Sequence, residues 1–488
     1  MKKAFAISII SAFLIAAFSS CQKDTIITDT SAKVNFSADS VLFDTVFTTI
    51  GSATRNIRVI NNHQQKIKIS SISLQNGNSS AFIINVDGSP GKTFSDIEIA
   101  ANDSLYIFIQ VHVNPTNVNS PLIISDNLLF VVNGNTQNVY LEAWGQDAYY
   151  HKPTNAIKFV NGSYLAYSTV SASNNTIVTW VNDKPHVIYG WLVVDSTQTL
   201  IITPGVKVYL HQNAGLWVYR YGTLRVLGTT SYPVTFQGDR FEKDLADIPG
   251  QWDRIWINEG SVNNEIDNAI IKNGYIGVQA ELLLGNFFSE PRRLKITNTK
   301  IQNMSKWGIF GVAFYIYGAN NVIVNCKEYC GAFTLGGRYT FLHTTFANFW
   351  DKDSRSIPCV HIDNHTSTQT LRLDTCYFGN CIIDGGLVNE LEIDTVSSIT
   401  YPPKGTFSYC FLKTNVNTAG YPTKYIGCRI NQTSDFTNKT GYDFSLGATS
   451  SAINFSAAAL SDANKVPFDI TNKSRTADGF PDAGAYER

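Results

Sequence analysis

The feature that most limits how this chain can fold is a repeat of short strand-like segments in its second half. Each repeat holds about three apolar strands separated by Gly, Asn, Asp or Pro, with a repeat length of roughly 20 to 35 residues. Repeats occupy residues 186–212, 214–239 and 251–278. The same pattern of short strands and turns recurs at 294–312, 320–333, 371–386 and 405–415. This period is typical of a solenoid, and short strands with Asn or Cys at the bends favour a β-helix. A β-propeller is the alternative, but its blades need four strands and about 40 to 50 residues each.

Two of these repeats resemble the early coils of right-handed parallel β-helix proteins of the pectate-lyase-like superfamily. The matching stretches are TLIITPGVKVYL (199–210) and GTLRVLGT (222–229). FPDAGAYE (480–487) also resembles a closing motif found at the end of many secreted bacterial members. The resemblance covers residues 155 to 488 and implies that residues 149–488 form one right-handed parallel β-helix.

Residues 33–148 have a different spacing of strand-like segments and are predicted to form a separate β unit. Alternating apolar and polar runs recur about every 10 to 20 residues between Gly, Asn and Asp turns. Six or seven short strands of this kind predict an antiparallel β-sandwich. The stretch from Val41 to Asn62 resembles the opening of hydin-like immunoglobulin-like domains, which implies a spacer or an adhesion module. The predicted fold class is therefore all-β, an N-terminal immunoglobulin-like β-sandwich followed by a right-handed parallel β-helix.

The first two dozen residues, MKKAFAISIISAFLIAAFSSCQKD, predict export and anchoring. A basic start precedes an apolar run of about 15 residues, whereas a membrane-spanning helix needs about 20. Two serines then lead into Cys21, which resembles the lipobox of bacterial lipoproteins, although Phe18 stands where Leu is usual. The resemblance implies a signal peptide over 1–20, an acylated Cys21 and a lipidated linker over 21–32. The following Gln-Lys-Asp resembles the export signal of Bacteroidetes-type lipoproteins, which implies an outer-membrane lipoprotein on the cell surface. An ordinary signal peptide with an incidental cysteine is the alternative.

Charge and cysteine content argue against several functions. The chain has 38 Lys and Arg against 39 Asp and Glu, a net charge of −1, whereas a nucleic-acid partner would favour a basic surface. Seven cysteines follow Cys21, and none has the paired CxxC spacing of a zinc site. They are predicted to be small buried core residues, with room for one disulfide. No motif predicts a cofactor.

Alternation within the repeats predicts an outward ladder of Trp, Tyr and Arg. In residues 215–221 and 251–257, the apolar Leu216, Val218, Ile255 and Ile257 take the core positions. The predicted ligand-binding residues that then face outward are Trp217, Tyr219, Tyr221, Trp252, Arg254 and Trp256, with Trp191 one coil earlier. Such a ladder suits a polysaccharide, because sugar C–H faces pack on flat aromatics while Arg donates to hydroxyls and carboxylates. Coverage by the preceding domain or by the insertion at 239–251 is one alternative, and scattered surface aromatics are another.

Two polar clusters are candidates for catalysis. Lyases of the pectate-lyase-like superfamily hold Ca²⁺ with carboxylates and abstract a sugar-ring proton with Arg or Lys. The resemblance therefore implies Ca²⁺ ligands, if the chain is a lyase, among Asp239, Asp244, Asp247 and Asp253, and a base at Arg240 or Arg254. A solvated surface loop explains the same charges. The second cluster joins residues 351–355 with His361, Asp363 and His365, whose alternation suits acid–base work, a metal or a hydrogen-bonded turn.

The sequence supports three functions. The first is a non-catalytic cell-surface protein that binds glycan or contributes to adhesion through a β-helix. The second is a polysaccharide lyase or glycoside hydrolase on the same scaffold, and the third is a purely structural envelope protein. The fold alone does not choose among them. Carboxylates about 5 to 10 Å apart in a groove would favour hydrolysis, carboxylates around a Ca²⁺-sized gap beside an Arg would favour elimination, and an aromatic strip without either would favour binding.

Overall fold

The computed structural model describes residues 25–47, 52, 54–113, 122–241, 244–284, 289–397, 405–461 and 465–488. The predicted signal peptide and Cys21 lie outside these residues. The chain divides into two compact units, the first ending at Asp147 and the second beginning at Ala148. Within the described ranges, no helix is long and apolar enough to cross a membrane. The helical elements described there are the short 3-10 turns Gly77–Ser79, Thr418–Gly420 and Ala458–Leu460.

The first unit consists of two five-stranded sheets. In spatial order, the strands of one sheet are Asn35–Phe36, Arg55–Ile60, Ser104–Val111, Phe82–Val86 and Ser89–Gly91. Those of the other are Ser40–Phe47, Asn135–Gln146, Leu122–Val132, Ile67–Leu74 and Thr93–Ile99. Neighbouring strands are antiparallel except for the first pair of the second sheet, which is parallel.

The two sheets share one apolar core, as the alternating pattern predicts. Side chains from both sheets are buried in it, and the rings of Phe43 and Phe82, one from each sheet, lie 5.9 Å apart. The described strands number ten rather than the predicted six or seven. One reason is that the run from Thr93 to Val111 divides at a turn where Asn102 has a positive φ of 54°, and its two halves enter different sheets.

The second unit consists of three long, almost wholly parallel sheets that the chain visits in turn. Sheet 1 contains Asn155–Lys158, Tyr164–Thr169, Trp191–Val194, Gly215–Val218, Ile255–Ile257, Ile276–Glu281, Trp307–Val312, Gly331–Thr334, Val360–Asp363 and Leu391–Asp394. Sheet 2 contains Ile177–Trp180, Thr199–Ile202, Thr223–Leu227, Asn264–Asp267, Leu294–Thr297, Tyr315–Ala319, Gly337–Leu342, Leu373–Gly379, Gly405–Ser408 and Tyr425–Ile426. Sheet 3 contains Tyr149–His151, His186–Ile188, Lys207–Leu210, Val234–Gly238, Ala269–Lys272, Lys300–Gln302, Val322–Val324, Thr345–Asn348, Ile382–Gly385, Phe411–Leu412 and Arg429–Ile430. From Trp191 to Leu412, one circuit through the three sheets, called a coil below, adds one strand to each sheet.

A single residue turns the chain from sheet 2 into sheet 3 in most coils. This residue has a positive φ each time, and Asn fills the position most often because its short polar side chain tolerates the left-handed region. The corner residues are Asn268, Asn298, Asn320, His343, Asn380 and Tyr409, with φ between 45° and 54°. The Asn residues at the bends of the repeats are therefore explained by backbone geometry.

Like residues stack in the interior of the second unit. The rings of Phe341, Phe378, Phe407 and Tyr425 follow one another on successive strands of sheet 2, with centroid separations of 5.4, 5.1 and 5.4 Å. The seven cysteines are free thiols and six are buried, so the disulfide that the sequence left room for is not formed among them.

The C-terminal segment packs on the outside of sheet 3. It contains the two-stranded hairpin Phe436–Asn438 and Asp443–Leu446, and the predicted closing motif follows it. Arg475, a residue of this segment, is fully buried; it donates to Asn320 Oδ1 at 2.8 Å and lies 3.5 Å from Glu487 Oε2. The segment therefore covers the part of sheet 3 from Val322–Val324 to Phe411–Leu412.

Candidate functional site

The predicted aromatic ladder begins with two tryptophans on sheet 1. Trp217 and Trp256 are register partners on adjacent parallel strands, and both are half-buried. Their rings stack with centroids 4.7 Å apart and an interplanar angle of 12°. Leu216, Val218 and Ile255 point into the core, as predicted, so alternation sends the two indoles to the outer face.

Trp191 joins this stack from the preceding coil, but two residues out of register. Its register partner is Gly215, and a Cβ there would approach the Trp191 ring within 2.6 Å. Glycine at 215 therefore leaves room for the indole, which lies 6.4 Å from Trp217 and 6.1 Å from Trp256 in edge-on contacts. Tyr219 adds an edge-on contact with Trp217 at 5.3 Å. We call Trp191, Trp217, Tyr219 and Trp256 the aromatic stack.

Hydrogen bonds to acceptors in the following coil fix the two central indoles. Trp217 Nε1 donates to Asn258 Oδ1 at 2.6 Å, and Trp256 Nε1 donates to Glu281 Oε2 at 3.2 Å. Both indole N–H groups are thus engaged within the protein. The parts of the indoles left for a ligand are therefore apolar ring surfaces.

A polar strip runs beside the aromatic stack. Arg254 donates to Asp253 and to Gln279, and Gln279 in turn donates to Glu281. The Arg254 side chain is 22% exposed, and its guanidinium lies 5.6 Å from the ring centroid of Tyr275. The strip holds hydrogen-bonding groups at fixed positions next to apolar ring surfaces.

Two of the predicted ladder residues lie elsewhere. Trp252 does not face outward: it is 1% exposed, belongs to the core, and donates from Nε1 to the Lys272 carbonyl at 2.9 Å. The prediction is wrong because alternation holds only within a strand, and this strand begins at Ile255. Tyr221 is exposed, as predicted, but it follows the strand at a corner with φ 66° and lies outside the aromatic stack.

The charged insertion does not gather its carboxylates around one point. Asp239 Oδ2 pairs with His211 Nδ1 at 2.7 Å, whereas Asp247 faces Lys272 at 3.8 Å and Asp244 is exposed. Hydrogen bonds from Asn273, Asn303 and Gln251 to backbone carbonyls hold the insertion against the coils. In the described part of the chain, no group of three or more His, Cys, Asp or Glu side chains is placed to hold a metal ion.

The second polar cluster forms on sheet 1, several coils from the aromatic stack. The His361 imidazole lies between Glu392 Oε2, 2.7 Å from Nδ1, and Asp363 Oδ2, 2.9 Å from Nε2. Burial alone would lower the His361 pKa, but the hydrogen bonds to the two carboxylates outweigh it and raise that pKa. His365 does not join them: it follows the strand and lies 3.4 Å from Asp394. An ion-paired imidazole of this kind holds adjacent coils together.

On the described outer face of sheet 1, Glu281 and Asp363 are too far apart to act as a glycosidase pair. Glu281 and Asp363 lie on strands three steps apart in sheet 1, about 14 Å along the sheet. Asp363 and Glu392 are both engaged by His361. The sheet therefore offers an aromatic stack with a polar strip, and the two polar clusters contribute ion pairs and loop attachment.

Sequence reasoning did not identify Asn258, Gln279 and Glu281 as part of this surface. Gln279 is the register partner of Trp256 on the next strand, so the stacking of coils brings it there. The spacing between the corresponding strands varies, which hides this correspondence in the sequence.

Comparisons with known proteins add little to this geometry. No protein family matches the chain, and no curated protein sequence does. Among solved structures, the E. coli chaperone DraB is 8% identical over 25% of this chain and 57% of its own, with a TM-score of 0.17. The Salmonella enterica SafA pilin in complex with the SafB chaperone is 13% identical over the same shares, with a TM-score of 0.17. PapD-like domain 7 of human CEP192 is 12% identical over 26% of this chain and 94% of its own, with a TM-score of 0.17. Similarities of this size support no inference about this chain.

Proposed function

We propose that this protein is a cell-surface lipoprotein that binds glycan without cleaving it, through the outer face of sheet 1. The observation that carries the proposal is the in-register pair Trp217 and Trp256, stacked at 4.7 Å beside the polar strip of Arg254, Gln279 and Glu281. Flat apolar rings next to fixed hydrogen-bonding groups match the two surfaces of a sugar, its C–H faces and its hydroxyls.

The scaffold we infer is a right-handed parallel β-helix of the pectate-lyase-like superfamily. Three parallel sheets visited in turn support a β-helix. A connection that returns to a parallel strand of the same sheet is right-handed in about 98% of cases, which supports the hand. The first unit, two sheets around one core, would be the immunoglobulin-like spacer that the sequence predicts.

The engagement of the acidic residues in contacts within the protein favours binding over cleavage. A retaining or inverting glycosidase needs two carboxyl groups about 5 to 10 Å apart with one free to donate a proton. On the described part of sheet 1, the carboxylates of Asp363 and Glu392 both lie within hydrogen-bonding distance of the His361 imidazole, and Glu281 accepts from Trp256 and Gln279. These carboxylates are committed to contacts within the protein.

The proposed location is the outer membrane, with the protein exposed on the cell surface and anchored by acyl chains on Cys21. More than one acyl chain is needed for stable attachment, at about 0.8 kcal/mol per buried methylene. Labelling with a palmitate analogue should mark the intact chain and should be lost in Cys21→Ser.

The test of the function is a panel of neutral and acidic polysaccharides offered to the soluble part of the mature chain, from Gln22 onward, with and without Ca²⁺. Both retention and the release of unsaturated or reducing ends are recorded. We expect retention without product. Ca²⁺-dependent product would establish a lyase instead. A result with no retention and no product would favour a structural envelope protein.

A further inference from the structure

The outer face of sheet 2 carries a long groove that the sequence analysis did not identify. A cavity of about 580 Å³ and another of about 450 Å³ share Val262 and Arg293 as lining residues. The second shares Tyr315 and Arg292 with a third cavity, of about 80 Å³. Together they extend from the strand of Thr199 to that of Asp374, six strand spacings or about 29 Å. An opening of this length suits a polymer.

The groove is strongly basic. Its lining contains two acidic side chains, Glu265 and Asp374, and six basic ones, Arg225, Arg292, Arg293, Lys295, Arg338 and Arg372. The local excess of four positive charges contrasts with a net charge of −1 for the whole chain. Arginine supplies 14 of the 38 basic residues in the sequence but five of the six in the groove. Arginine is the side chain whose planar fork matches the paired oxygens of carboxylate and of other oxyanions.

Ion pairs inside the groove leave part of this positive charge uncompensated. Glu265 lies between Arg225 at 3.2 Å and Lys295 at 2.9 Å, one from each neighbouring strand. Asp374 is likewise shared by Arg372 at 2.8 Å and Arg338 at 3.8 Å. Each carboxylate therefore serves two cations. Arg293 is exposed, and among the residues that the structure describes it has no carboxylate partner.

One aromatic ring orients two basic groups in the middle of the groove. The guanidinium of Arg292 lies 4.6 Å from the ring centroid of Tyr315, and that of Arg338 lies 4.8 Å from it. Two cations on one ring are held in place before any ligand arrives, which lowers the entropy lost on binding.

We propose that the sheet 2 groove binds a linear polysaccharide that carries anionic groups, carboxylate or sulfate, along its length. The basic residues other than Arg292, which is buried and donates to the Ala313 and Glu290 carbonyls, would pair with the anionic groups. Tyr315 and the polar side chains of Thr199, Thr223 and Asn263 would contact the sugar rings and hydroxyls. The inference rests on the proposed glycan-binding function, but it uses a face of the second unit different from the aromatic stack.

The test compares the mature chain with Arg293→Ala/Arg338→Ala in binding to immobilised heparin, alginate, neutral dextran and single-stranded DNA. Both arginines are exposed, so the variant should keep the wild-type melting temperature. The control Arg58→Ala/Lys207→Ala removes the same number of charges at other exposed positions. We expect at least tenfold weaker binding to heparin, alginate or both in the groove variant and less than twofold weaker in the control. Salt at about 1 M, where the Debye length is about 3 Å, should release the bound glycan.

The outcomes separate this inference from the proposed function. Retention of heparin alone identifies sulfate as the anionic group, and retention of alginate alone identifies carboxylate. Equal losses of glycan binding in the two variants, or DNA retained as strongly as the glycans, would contradict the proposal that the groove is the binding site. Binding would then be a general response to polyanions. Dextran binding that persists in both variants would then leave the proposed function standing.

Discussion

Replacing Trp252 by alanine should destabilise the second unit without removing any group from its outer face. Trp252 is 1% exposed, and its indole donates to the Lys272 carbonyl at 2.9 Å. It also packs on Gly274, where a Cβ would approach the ring within 2.7 Å. Removing a buried Trp costs about 3 to 5 kcal/mol through lost transfer energy and the remaining cavity. Leaving the Lys272 carbonyl without its donor adds about 1 kcal/mol. The expected loss in the free energy of unfolding is therefore about 4 to 6 kcal/mol.

The matched control is Trp256→Ala, four residues away on the same segment. Because Trp256 is half-buried, we expect a loss of about 1 to 2 kcal/mol. Urea unfolding followed by far-UV circular dichroism measures both, since this signal does not depend on the tryptophan removed. Equal losses in the two variants, or a smaller loss in Trp252→Ala, would refute the assignment of Trp252 to the core and of Trp256 to the face.

Three further predictions concern buried ionisable groups. Glu390→Gln should lower the free energy of unfolding in urea by about 3 to 5 kcal/mol, because it leaves the Arg355 guanidinium buried without its charge partner. That guanidinium is 4% exposed and lies 2.6 Å from Glu390, and a loss below about 1 kcal/mol would contradict this prediction. Burial lowers the pKa of His151 to about 4 and of His186 to about 3, so their neutral forms stabilise the fold above the unfolded pKa near 6.5 and this contribution is lost as the pH falls. Between pH 7.5 and 5 the protein should lose roughly 2 kcal/mol for each, and His151→Phe/His186→Phe should abolish that slope. His361 has a raised pKa, so its stabilisation is complete below pH about 6.5 and disappears as the pH rises through the folded pKa; the stability difference from His361→Gln should be larger at pH 6 than at pH 9.

Within strands, the sequence pattern predicts the orientation of side chains well. Leu216, Val218, Ile255 and Ile257 are placed in the core by alternation alone and are fully buried. Period two is a property of extended backbone, so it holds wherever the backbone is extended. Trp252 shows the limit, because it precedes its strand and its orientation is set by the turn rather than by the pleat.

Contacts between coils are harder to predict than orientation. Gln279 lies beside Trp256 only because the connection between their strands has a particular length, and these lengths differ from coil to coil. The outward orientation of two groove residues could have been predicted, because Arg225 and Lys295 alternate with core residues on strands that the sequence predicts. Their convergence depends on stacking register, which a single sequence does not show.

The most direct measurement of the central claim is the binding of the mature chain and of Trp217→Ala/Trp256→Ala to a retained polysaccharide from the panel. The account predicts at least a tenfold loss of affinity in the double variant, with far-UV circular dichroism unchanged, because the stack supplies the apolar contact surface for the sugar rings. Unchanged affinity in the double variant would contradict it, and the loss of stability expected from the two substitutions would then show that the tryptophans serve packing alone.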